Sequence, residues 1–179
     1  MKQLLILLLL FLSLMFNGID EALFSLIGGN ESYDQIGTLQ EFIYSPGYSD
    51  MSGGGHSETL QKNEAGDWVI ISYDREMYSD PLTITTYAVS GDAVEQFEAF
   101  LKEHKVPALF DRKDSDLFAT DYSPWSLSME FVDDSGQWRS YTLSEYKEYS
   151  DQDDELIREV KAQFAGLHGE NLSQVEEED

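Results

Sequence analysis

Cysteine does not occur among the 179 residues. That absence removes disulfide staples, thiolate nucleophiles, cysteine-type zinc sites and any lipid anchor attached through a thiol. Positive charge is scarce as well. Lys and Arg number 11 against 35 Asp and Glu, for a formal net charge of −24. A chain this acidic repels phosphate backbones and anionic headgroups, and no basic stripe offsets it, so nucleic acid is excluded as a partner. A basic protein face, a cationic polymer or divalent cations fit the charge, and so does plain solubility. Chemical signatures are equally thin. No G-x-S-x-G elbow is present, and no lysine and Ser/Thr follow a glycine run as a phosphate loop requires. The three histidines, His56, His104 and His168, have no short metal-ligand spacing, and no cofactor is expected.

What is present is a core. Hydrophobic residues make up 41% and aromatics 13%, the composition of a packed globule. A domain of roughly 150 residues buries around 70% of its unfolded surface and needs no staples.

The chain opens with Met1 and Lys2 and then "LLILLLLFLSLMF", Leu4 to Phe16. A positive start followed by an apolar run of about 7–15 residues is a secretory signal, and it is short for a membrane span. The cleavage pattern is poor, since Phe16 stands two residues before Gly18 and Asp20 two before Ala22. Residues 1–29 therefore read as a signal peptide or an uncleaved signal anchor. Either places the rest outside the cytoplasm, secreted or tethered to the membrane by this segment alone.

Residues 36–168 read as one α+β domain. Strands are predicted at 37–45, 56–62, 67–74 and 82–89, joined by short turns. The apolar period then changes to helical at Val94, Phe97, Phe100 and Leu101, with Asp92 as the expected cap. This helix stops before Val106-Pro107, and 107–124 is irregular and rich in aspartate. "WSLSMEFV" (125–132) puts Trp125, Leu127, Met129 and Phe131 on one face, and "DDSG" turns it into a strand at 137–143. A last helix begins near Ser150, with Leu156, Ile157, Val160, Phe164 and Leu167 on one side. The expectation is one antiparallel sheet of about six strands: a four-strand meander, a helix, a hairpin and a helix, with the helices on one face. Residues 169–179 read as a disordered acidic tail.

"SPGYSDMSGGGHSE" (45–58) is the one stretch resembling a site. Its glycines suit a mobile hairpin loop, and loops on a rigid sheet are where binding residues sit. The candidate binding set is Tyr44, Tyr48, Gly53, Gly54, Gly55 and His56. An EF-hand fails at both acidic runs, because Leu156 stands at the glycine position of one and Lys113 at a ligand position of the other. A looser calcium site would use Asp111, Asp114, Asp116 and Asp121.

The run "SYDREMYSDPLTITTYAV", the glycine loop before it and "DYSPWSLSMEF" after the first helix resemble small uncharacterised exported domains of Gram-positive bacteria, often lipoproteins. The resemblance implies an α+β domain at the cell envelope. Without a cysteine, this chain departs from the lipoprotein form. The expected function is a non-enzymatic extracytoplasmic domain that binds a protein or envelope component. A hydrolase using Asp/Glu or Ser/His is the alternative, and a purely structural accessory domain the third reading.

Overall fold

The computed structural model describes residues 36–47, 54–77, 79–115 and 124–177. The leader at 1–29, along with Tyr48, Gly53, Asp116 and Asp121, lies outside the described residues. No helix among the described residues is long and apolar enough to cross a membrane.

The elements are β1 (Thr38–Ser45), β2 (Gly55–Lys62), β3 (Trp68–Arg75), β4 (Leu82–Ala88), α1 (Gly91–Glu103), a 3-10 helix (Val106–Asp111), β5 (Ser126–Val132), β6 (Trp138–Ser144), α2 (Asp151–Ala165) and β7 (Asn171–Glu177). They form an α+β fold around one antiparallel sheet in the order β6-β5-β1-β2-β3-β4-β7. The first four strands are the expected meander, and the β5–β6 hairpin adds to the β1 edge.

Among the described residues the strands number seven, not six, because β7 lies within the segment read as an acidic tail. Its residues are exposed and mostly polar, so no alternating apolar pattern marks it. It is ordered by pairing with β4, from Tyr87 opposite Asn171 to Leu82 opposite Glu177.

Strand alternation sets the core. Tyr141, Met129, Phe42, Leu60, Ile70 and Tyr87 stand opposite one another in one row across six strands. On β5, Leu127, Met129 and Phe131 are fully buried, with Trp125 packed at their edge, while Ser128 and Glu130 face the other way. A register shift between Leu39 and Glu41 lets both Leu39 and Phe42 point into the core. The Leu39 N–H donates to Glu98 Oε2 on α1 at 3.0 Å.

Both helices lay one apolar stripe on this face. α1 buries Val94, Phe97 and Leu101, and α2 buries Ile157, Val160 and Phe164. Phe42 lies 5.0 Å from Phe97 and 4.7 Å from Phe164 between ring centroids, so one side chain ties the sheet to both.

The cap of α1 is Ser90, two residues before the expected Asp92. The Ala93 N–H donates to its Oγ, and Asp92 sits in the first turn, where a carboxylate suits the dipole. Ser150 caps α2 with a reciprocal box. Asp153 N–H donates to Ser150 Oγ at 3.2 Å, and Ser150 N–H to Asp153 Oδ2 at 3.0 Å. The 3-10 helix begins the stretch read as irregular from 107, and it is pinned by buried Val106, Pro107 and Leu109.

Candidate functional site

The hydrogen-bond register brings chemistry to one end of the sheet, where β1 leaves and β2 enters. On the helix-bearing face, Tyr44 stands opposite Glu58 and Leu127, and His56 stands opposite Asp74. His56 and Glu58 are two residues apart on one strand, so their side chains share a face.

His56 Nε2 lies 3.4 Å from Glu58 Oε1, and its Nδ1 lies 3.4 Å from Asp74 Oδ1. His168, just beyond α2, reaches the same carboxylate oxygen from above. Its Nε2 is 3.0 Å from Glu58 Oε1, and its Nδ1 is 3.0 Å from the Ala165 carbonyl. Each imidazole thus has an oxygen near both of its ring nitrogens. The His168 ring also meets Tyr87 edge-on at 4.8 Å. The result is a ladder of alternating histidine and carboxylate across β2, β3 and the α2–β7 junction.

An aromatic clamp adjoins it. The Tyr44 ring packs edge-on against Phe164, and Trp125 stacks on Tyr149 with centroids 6.0 Å apart. Lys161 of α2 lays its ammonium 4.1 Å from the Trp125 ring centre and 5.6 Å from that of Tyr44. Burial pushes the Lys161 amine below its ordinary range, against the pull of Glu145 and Asp154. Burial raises the Tyr44 phenol, and Glu58 adds to the rise. The Tyr149 phenol is pushed up to about 12, chiefly by burial.

Gly54 is held by a close approach of two main chains. A Cβ built there would stand 2.0 Å from the Glu76 carbonyl oxygen. The glycine at this position therefore packs the β1–β2 connection against the segment after β3. Gly54→Ala is expected to lower stability by roughly 1–3 kcal/mol through forced backbone displacement. Thermal melting checks it, and an unchanged midpoint would show that the two segments do not touch.

Of the expected binding set, Tyr44, Gly54, Gly55 and His56 fall at this end of the sheet, while Tyr48 and Gly53 lie outside the described residues. Glu58, Asp74, Trp125, Lys161 and His168 join them and were missed. The His-x-Glu spacing on a strand was a readable signal for Glu58. Lys161 and Trp125 come from distant elements and meet only in the fold.

The loose calcium set is only partly described. Asp114 Oδ1 lies 3.2 Å from the Lys147 ammonium, which also donates to the Arg112 carbonyl. Asp111 ends the 3-10 helix, and Asp116 and Asp121 lie outside the described residues. Among the described residues, no group of three His, Asp or Glu side chains is arranged to hold a metal ion.

Comparison with known protein families, curated proteins and solved structures found no match to this chain.

Proposed function

We propose that this domain is a non-enzymatic, extracytoplasmic binding module that takes a protein or envelope component on the β1–β2 end of its sheet. The observation that carries the reading is the convergence of the His56–Glu58–His168 ladder with the Tyr44–Lys161–Trp125 clamp. Side chains from distant parts of the chain form one surface there. Glu58 already has an imidazole on two sides. Rings with polar tips beside paired charges offer both contact area and directional hydrogen bonds, which is how recognition surfaces work. The Leu4–Phe16 leader supports the extracytoplasmic placement, and the acidic charge favours a cationic surface on the partner.

The test is capture from a detergent-solubilised envelope fraction by the tagged full-length chain, beside three variants. His56→Ala and Asp74→Asn alter the ladder without entering the core, and Asp67→Asn sits in the turn at the opposite end of β3. Capture of a given component should fall at least tenfold for the first two and be unchanged for the third. Equal capture by all four proteins would remove this end of the sheet from the binding surface.

A further inference from the structure

β7 differs from every other strand of the sheet. All seven of its residues are exposed, and none belongs to the core. Leu172 and Val175 are its only apolar side chains, at 56% and 53% exposure. Among the described residues it pairs with β4 alone and forms an edge of the sheet. Ordering each residue costs backbone entropy of about the size that one backbone hydrogen bond returns net. A strand held by its ladder alone sits close to balance and opens locally at low free energy.

The two ends of β7 are not equal. At its start, His168 is fixed to Glu58 and Tyr87. There the Gly169 N–H donates to the Ala88 carbonyl at 3.0 Å, with no room for a Cβ between them, and Ala88 N–H donates to the Glu170 carbonyl. At its finish, Glu176 and Glu177 pair with Thr83 and Leu82 and carry like charge. The His168–Gly169 end is thus the more firmly held and the Glu177 end the less.

What β7 covers is a strong strand. Leu82–Ala88 reads LTITTYA, with β-branched residues at four of seven positions and neither charge nor proline. Ile84 extends a row with Tyr73 on the face away from the helices, and Thr83 extends the row of His56 and Asp74 on the helix side. The edge thus runs straight into the ladder.

We infer that the β4 edge is a strand-acceptor site for an extended, basic segment of a partner protein, with β7 as the intramolecular occupant that the segment displaces. Main-chain pairing with β4 supplies affinity in such a mode, and alternate side chains supply selectivity. An apolar residue opposite Ile84 takes the place of Val175. Lysine or arginine at the position of Glu176 replaces a carboxylate in the row that holds Asp74, on a chain of net charge −24. This rests on the binding reading above, but the capture assay and the peptide assay below fail independently.

The probe is a fluorescent nine-residue peptide with the sequence of residues 169–177 carrying Glu170→Lys, Gln174→Lys, Glu176→Lys and Glu177→Lys. The chain has no cysteine, so Ile84→Cys with Val175→Cys, directly opposite across β4 and β7, gives a reversible lock. The reduced full-length protein should bind the peptide, and oxidation should weaken binding at least tenfold, with recovery on reduction. Val175→Pro, which weakens β7 in an otherwise native chain, should tighten binding at least fivefold. A peptide with proline at its Val175 position should not bind. Equal binding by oxidised and reduced protein, equal binding of the proline peptide, or no binding at all would overturn the proposal. So would a strand-exchanged dimer of the chain that binds no peptide, because the occupant would then be a second copy.

Discussion

Phe42→Ala is expected to cost about 3–5 kcal/mol, enough to remove a large part of the stability of a domain this size. The side chain is fully buried and touches the rings of Phe97 on α1 and Phe164 on α2. It also stands between Leu60 and Met129, so it is central in the sheet as well as between the helices. Removing the ring opens a cavity that none of these neighbours can fill without leaving another partner. Ile43→Ala, one residue along and on the opposite face, should cost far less. Urea titration of both variants measures the difference. Similar midpoints would mean that the register of β1 is wrong.

Asp153→Ala is expected to cost about 3 kcal/mol at neutral pH, from the loss of a helix cap and of a bidentate ion pair. Arg112 donates to both carboxylate oxygens, Nε to Oδ2 at 2.9 Å and Nη2 to Oδ1 at 2.7 Å, while Ser150 donates from its N–H and hydroxyl. Arg112 foremost, with the Ser150 bonds adding, draws the carboxyl down to about 2 against burial. A folded-state value below the unfolded one stabilises the fold above the ordinary carboxylate range near 4, and that contribution is lost as pH falls towards 2. The gap between wild type and variant should therefore be widest near pH 7 and close between about pH 4 and 2. A gap constant down to pH 2 would mean the carboxylate is not paired in solution. The pair also fastens the end of the 3-10 helix to the start of α2, so the variant should loosen the chain around Arg112.

Six strands and both described α-helices were legible, β5 and the helices from apolar residues turned towards one core, β3 from its β-branched run, and β2 from the turns on either side of it. Leu127, Met129 and Phe131 declare a strand at period two, and Ile157, Val160 and Phe164 a helix. β7 gave no such signal. Its order comes from hydrogen bonds donated and accepted by β4, and main-chain pairing leaves no trace in side-chain pattern. The cap of α1 was misplaced by two residues because Ser90 and Asp92 both suit the role, and the backbone chooses between them. At the site, Tyr44 and His56 were legible from the glycine hairpin. Glu58 and Asp74 needed the strand register, and Lys161, Trp125 and His168 needed the packing of α2 over the sheet.

The strand order has a kinetic consequence. β1 is first in the chain yet sits between β2 and β5, and Thr38 pairs with Val132. The β1–β4 meander can zip through near neighbours as soon as it exists. The row that buries Phe42 stays open on one side until β5 has been made and has returned across most of the chain. Loops this long close slowly, and folding rates fall as pairing becomes less local. A sheet whose first strand is completed by β5 has a high contact order, so its refolding is expected to be slower than that of a plain meander, and stopped-flow refolding measures the difference.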